Sequence, residues 1–152
     1  MWSEGLSTDA PRIEGNMSTV LIVDNDDSLR SALRALLEQG GGFEFCIEAA
    51  SSTEAIDKAR RLSPHLAILD FSLLEMNGLQ LAQKLREIMP RLPIFMLTAD
   101  HNIHVEKEAL SFGIDAVFSK LGDLETLPAN ARAVCGIERD GHRTDFPHRN
   151  TE

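Results

Sequence analysis

Asp24, Asp70, Thr98 and Lys120 stand out because each follows directly, or nearly so, on an apolar, β-rich run. The runs are Thr19-Val20-Leu21-Ile22-Val23, His65-Leu66-Ala67-Ile68-Leu69, Pro93-Ile94-Phe95-Met96-Leu97 and the stretch from Ile114 to Ser119. If these are neighbouring parallel strands, their carboxyl ends bring Asp24-Asn25-Asp26-Asp27, Asp70, Thr98 and Lys120 to one edge of a sheet. Carboxylates gathered there repel one another unless a cation joins them, and hard oxygen ligands of this kind suit Mg²⁺. A lysine is a point-charge partner for phosphate, and a threonine hydroxyl can donate to a phosphoryl oxygen. The set reads as phosphoryl chemistry.

The elements that must position these residues follow from periodicity. A helix over 28–39 places Leu29, Leu33, Leu36 and Leu37 at helical spacing and stops at Gly40-Gly41-Gly42. A second strand is expected over 43–47, and a second helix from Ser52 to about Leu62, before Pro64. Further helices are expected over 78–88, 105–112 and somewhere in 123–134, where Pro128 is tolerated only in a first turn. Five strands alternating with five helices imply an α/β fold, a doubly wound parallel sheet with helices on both faces. Such sheets bind ligands at the carboxyl ends of their strands, near a topological switch point.

The chain has 152 residues, which suggests one domain, and 43% of them are hydrophobic, enough for a globular core. The folded unit is expected over 18–135, between a disordered leader or added segment (1–17) and a flexible, aperiodic C-terminal tail (136–152). A net charge of −9 argues against a nucleic-acid surface, which draws on clustered Lys and Arg. No apolar run approaches the roughly 20 residues of a membrane helix, and no signal peptide is visible, so a soluble cytoplasmic protein is expected. Cys46 and Cys135 lie far apart without nearby ligand spacing, and Cys46 reads as a small buried hydrophobe rather than a disulfide or metal ligand.

Leu21-Ile22-Val23-Asp24-Asn25-Asp26-Asp27, Leu66-Ala67-Ile68-Leu69-Asp70 with Gly78 beyond it, Ile94-Phe95-Met96-Leu97-Thr98-Ala99 and Ser119-Lys120 occur in that order. Over about 19–134 the chain thereby resembles the receiver domain of two-component response regulators, of the single-domain, chemotaxis-regulator type. The resemblance implies a flavodoxin-like sheet of order 2-1-3-4-5. It implies that Asp70 accepts a phosphoryl group from a sensor histidine kinase or histidine phosphotransfer protein. Asp24, Asn25, Asp70 and the Ser72 backbone carbonyl would hold Mg²⁺, while Thr98 would bond the phosphoryl oxygen and Lys120 would pair with Asp70 or its phosphate. Such a module catalyses only its own phosphorylation and dephosphorylation. A stand-alone receiver is expected, with output by contact with a downstream protein through the surface of the fourth helix, fifth strand and fifth helix, and with a homodimer among the assemblies allowed.

Four positions depart from the family pattern. Asn25 stands where a carboxylate is usual, so weaker Mg²⁺ binding is expected, with Asp26 replacing part of the charge. Leu74 and Leu121 stand where prolines are common, which leaves open whether the peptide after Lys120 is cis. Val117 replaces the usual aromatic switch, and Phe118 should point to the opposite face. Plainer roles exist too: Asp24 and Asn25 as helix caps, with Asp27 the better cap, Thr98 as a strand-end hydroxyl and Lys120 as a surface lysine. Two other functions are carried forward. One is a degenerate receiver that binds partners without phosphorylation, and the other is a phosphatase similar to the haloacid dehalogenase class, whose DxD motif Asp24-Asn25-Asp26 imitates.

Overall fold

Val20, Leu21, Ile22 and Val23 are fully buried on both sides of the chain, as a strand in the middle of a parallel sheet must be. The structure, a computed structural model, describes residues 18–100, 102–122 and 124–137; the expected leader and the tail from residue 138 lie outside the described residues. The elements alternate: β1 (Ser18–Val23), α1 (Asp27–Gln39), β2 (Phe43–Ala49), α2 (Ser52–Leu62), β3 (Leu66–Asp70), α3 (Gly78–Ile88), β4 (Ile94–Thr98), α4 (Ile103–Ser111), β5 (Ala116–Ser119) and α5 (Leu127–Val134). A 3-10 turn, Leu124–Thr126, precedes α5, and Pro128 sits in the first turn of that helix, where its missing N–H costs nothing.

The five strands are parallel in the order β2-β1-β3-β4-β5, the doubly wound arrangement the resemblance implies. The path leaves β1 toward β2 and then crosses back to β3, so the switch point lies between the ends of β1 and β3. Alternation along the strands builds two cores. Val20, Ile22, Ile68, Phe95, Leu97 and Phe118 pack with Leu33 and Leu37 of α1 and Leu127 and Ala131 of α5. Leu21, Val23, Leu69 and Met96 pack with Ala55 and Ala59 of α2, Leu79, Ala82 and Leu85 of α3, and Ala109 of α4. Phe118 stacks at a tilt on Phe95 with ring centroids 5.2 Å apart, while Val117 is half-buried on the opposite core, as alternation requires. Ala109 is the one buried residue of α4, and Ile103 and Leu110 remain half exposed.

Strand β2 carries an irregularity. Ser18 pairs with Phe43 but Thr19 with Phe45, so Glu44 is an extra residue and the faces shift. Phe43 and Cys46 consequently reach the same core, and Phe45 is left 60% exposed. Both cysteines are buried, and burial foremost pushes the Cys46 thiol up to about 11, away from reactivity. The packed chain continues through Gly136, at φ 71°, to Ile137, which is buried; a Cβ on Gly42 would lie 2.5 Å from its Cγ2.

The start of α1 corrects one expectation. Asp26, not Asp27, is the N-cap: its Oδ1 accepts from the backbone N–H of Ser28 at 2.9 Å and of Leu29 at 3.3 Å. Asp27 lies one residue inside the helix, where its carboxylate meets Arg30 instead. Asp26→Ala is expected to remove about 1 kcal/mol of stability by freeing two amide donors, and thermal unfolding at neutral pH measures it.

Candidate functional site

Three short chain continuations past the strand ends assemble the site. The N–H of Asp24 donates to Ala49 O at 3.1 Å and that of Phe71 to Leu97 O at 2.8 Å, so the ladder persists just past the strand ends. The N–H of Lys120 donates to Thr98 O at 2.9 Å, which carries Lys120 beside Thr98. No peptide among the described residues is cis, so the Lys120-Leu121 bond is trans. The sheet thus collects Asp24, Asp70, Thr98 and Lys120 at one edge, as their positions after apolar runs predict.

Asp24 is fully buried, Asp70 is 3% exposed and Thr98 is 4% exposed. Lys120 Nζ lies 2.9 Å from Asp24 Oδ2 and 3.1 Å from Asp70 Oδ2, a cation bridging two carboxylates at the switch point. The remaining oxygens are turned inward by the chain itself. Asp24 Oδ1 accepts from the N–H of Asp26 at 2.9 Å, and Asp70 Oδ1 accepts from the N–H of Ser72 at 3.0 Å. Thr98 Oγ1 accepts from the N–H of Asp100 at 3.1 Å, which leaves its hydrogen available to an acceptor in the site.

These contacts set the protonation behaviour. Burial pushes the Asp70 carboxyl above the ordinary aspartate value; the Ser72 N–H and Lys120 oppose this and the Asp24 charge adds to it. For Lys120, burial pulls downward, but the two carboxylates outweigh it and hold the ammonium above the usual lysine value. The stability Lys120 contributes is therefore present throughout neutral pH and lost only as the pH rises through that raised value. Lys120→Met leaves two carboxylates without their cation. Its side chain is 20% exposed, so a loss of about 2 kcal/mol is expected, below the range for fully buried pairs, and urea unfolding at pH 7 checks it.

The loop after Asp70 is held at both ends. The N–H of Gly78 donates to Phe71 O at 2.8 Å, closing the loop on itself, and Asn77 and Gln80 form a capping box that starts α3. Glu75 Oε1 accepts from the Ser52 N–H at 3.3 Å and from its hydroxyl at 3.1 Å, tying the loop to the start of α2. Leu74 in this loop and Leu121 after Lys120 are each 84% exposed.

The donor set fits a magnesium ion. Mg²⁺ takes one or two carboxylates and fills its remaining positions with neutral oxygens, water and phosphate. Asp24 Oδ2 is buried, with an ion pair to Lys120 but no aligned hydrogen bond, so its lone pairs remain available beside Asp70. Among the described residues no cluster of three or more His, Cys, Asp or Glu side chains could hold a metal, so the site is no closed protein cage. Asn25 is exposed and adds an oxygen without a charge. Asp26, expected to replace that charge, uses Oδ1 to cap α1.

Sequence reasoning missed Arg30. This arginine is 9% exposed and donates through Nη1 to the Asp24 carbonyl, through Nη2 to Asp27 and through Nε to Glu48 at 3.0 Å. Its place three residues after Asp27 on a helix is a usable signal for that one pair. Nothing local links it to Glu48, on another element.

Comparison with known proteins points to one family. The response regulator receiver domain model matches residues 20–132. A Pseudomonas aeruginosa protein named as a transcriptional regulator is 35% identical over 118 residues, covering 78% of this chain and 56% of that protein. Response regulator Rre1 of Synechocystis sp. is 34% identical over 116 residues, covering 75% of this chain and 50% of its own length. The chain thus spans about half the length of the curated relatives it matches. Among solved structures, the chemotaxis response regulator CheY4 of Vibrio cholerae superposes with a TM-score of 0.69 at 28% identity, over 78% of this chain and 98% of that one. With the family model matched over residues 20–132 and the fold shared with a solved receiver, this chain belongs to the response regulator receiver domain family.

Proposed function

We propose that Asp70 is the phosphoacceptor of a phosphorelay, taking a phosphoryl group from the phosphohistidine of a sensor kinase or phosphotransfer protein, or from a small acyl phosphate. The observation that carries this reading is Lys120 held between the buried carboxylates of Asp24 and Asp70, 2.9 and 3.1 Å away, beside the free hydroxyl hydrogen of Thr98. The Asp70 carboxylate attacks phosphorus, the bond to the donor's nitrogen or oxygen breaks, and an acyl phosphate forms on the side chain. Lys120 meets the charge arriving on the phosphoryl oxygens, and Thr98 donates a hydrogen bond to one of them. Asp24, Asp70, Asn25 and the Ser72 carbonyl would hold Mg²⁺, which supplies neutralisation of the phosphoryl charge when bound.

The proposed output is a protein contact. Ile103, Leu110 and Phe112, at and after α4, are 56%, 50% and 42% exposed, an apolar surface beside β5 for a downstream protein or a second copy of the chain. No nucleic-acid contact is proposed for these residues, in keeping with the net charge of −9. No helix among the described residues is long and apolar enough to cross a membrane, and action in the cytoplasm is part of this proposal.

The test is intact mass after incubation with Mg²⁺ and an acyl phosphate donor, then with a panel of kinases. A single phosphoryl gain, prevented by chelation and absent in Asp70→Asn, is the expected result. A gain that persists in Asp70→Asn but is lost in Asp24→Asn would point to the phosphatase-like chemistry instead. No gain with any donor would favour a phosphorylation-independent binding module, the reading that the uncharged, exposed Asn25 supports.

A further inference from the structure

The turn between β1 and α1 does more than deliver Asp24 to the site. Asp24 receives a hydrogen bond on Oδ1 from the N–H of Asp26 at 2.9 Å, so the carboxylate's orientation depends on the two peptide planes between those residues. The first of these planes carries the Asp24 carbonyl, which has passed the end of the strand ladder. Arg30, one turn into α1, reaches back and donates Nη1 to that carbonyl. Its other two donor directions are taken by Asp27 and by Glu48 at 3.0 Å.

Glu48 is itself fixed. Its Oε2 accepts from Arg34 Nη1 at 3.1 Å, and its backbone carbonyl accepts from Lys58 Nζ at 2.6 Å. The guanidinium is thus gripped from α1 and from the edge strand β2 while its third side faces Asp24. A planar fork with donors in several directions suits this geometry, and a lysine's single nitrogen reaches it only in part.

We propose that Arg30 is a positioning residue for the acidic pocket, holding the Asp24–Asn25 peptide so that the Asp24 carboxylate and the Asn25 amide face an incoming cation, with Glu48 as its anchor. The inference rests on the proposed phosphoacceptor function. With a neutral residue at position 25 the pocket has one charge fewer to attract the ion, so the placement of Asp24 carries more of the affinity. The edge strand β2, which contributes no residue to the site, then acts on it through Glu48.

The experiment is a Mn²⁺ titration of the full, unphosphorylated chain, read by the electron paramagnetic resonance signal of free Mn²⁺, with thermal unfolding of each variant alongside. Arg30→Met is expected to weaken binding about 10-fold, the low end for outer partners of metal ligands, with Arg30→Lys recovering part of the loss. Glu48→Gln is expected to weaken it about 3-fold, and it serves as the deciding variant if Arg30→Met fails to fold. Wild-type affinity in a folded Arg30→Met, or in Glu48→Gln where that one must decide, would overturn the inference and leave Arg30 a purely structural residue. If the wild type shows no Mn²⁺ binding that Asp24→Asn removes, the underlying metal site fails first and this inference falls with it.

Discussion

Asp70→Asn is expected to abolish phosphoryl uptake completely and at the same time to raise the melting temperature at pH 7. The first effect follows because the amide has no anionic oxygen to attack phosphorus. The second follows from the position of the carboxylate, which is 3% exposed and faces the Asp24 charge, so that burial raises its pKa despite the Ser72 N–H and Lys120. A carboxyl whose folded value lies above its unfolded one favours folding in acid. Its ionisation costs stability as the pH rises through the raised value, and that cost remains at neutral pH. Replacing it with an amide removes that cost, so the melting temperature is expected to rise. Thermal unfolding in chelated buffer should show the gain at pH 7 and show it vanishing in acid, where the wild-type Asp70 is already protonated. A variant that loses both phosphorylation and stability would contradict the idea that function here opposes folding.

Gly78→Ala carries the largest expected cost to the fold. An added Cβ would stand 2.4 Å from the Asp70 carbonyl oxygen, 2.8 Å from Met96 Sδ and 3.0 Å from Phe71 Cα. Two of these three obstacles are backbone, so no side-chain rotation relieves them. Either α3 moves away or the loop from Phe71 opens, and both break the 2.8 Å bond from the Gly78 N–H to Phe71 O. A loss of about 3 kcal/mol is expected, the upper end for overpacking, measured by urea unfolding. Phosphoryl uptake should fall at least about 10-fold, since 1.4 kcal/mol of misplacement suffices for that. The comparison separates geometry from charge, because Gly78 touches Asp70 without altering any ionisable group.

The strands and helices were legible because their burial is periodic. Val20 to Val23 read as a doubly buried strand, and Leu33 and Leu37 as the inner stripe of a helix, before any contact was visible. Asp24, Asp70, Thr98 and Lys120 were legible for a related reason: parallel strands bring their carboxyl ends together wherever the crossovers run. The cap of α1 was misread because three neighbouring residues, Asn25, Asp26 and Asp27, can each accept a helix amide, and only the backbone angles choose Asp26. The extra residue at Glu44 left no trace in the pattern, since Phe43, Phe45 and Ile47 alternate as if regular while the pairing with Ser18 and Thr19 does not. The grip of Glu48 on Arg30 joins residues 18 apart on different elements and had no local signal.

Helix α4 is fastened to the sheet by Ala109 alone among its buried residues, whereas α3 has Gly78, Leu79, Leu81, Ala82 and Leu85. One methyl group is a weak hinge pin. Rotating or sliding this helix forfeits little buried surface, so the free-energy valley it occupies is shallow. The backbone amides of α4 should therefore be the first of the long helices to trade hydrogen for deuterium, ahead of α3 and α1, because local opening follows the number of contacts that must be broken. Among the described residues, the edge that carries Asp24, Asp70, Thr98 and Lys120 is thus braced from several elements, while α4 is held by little.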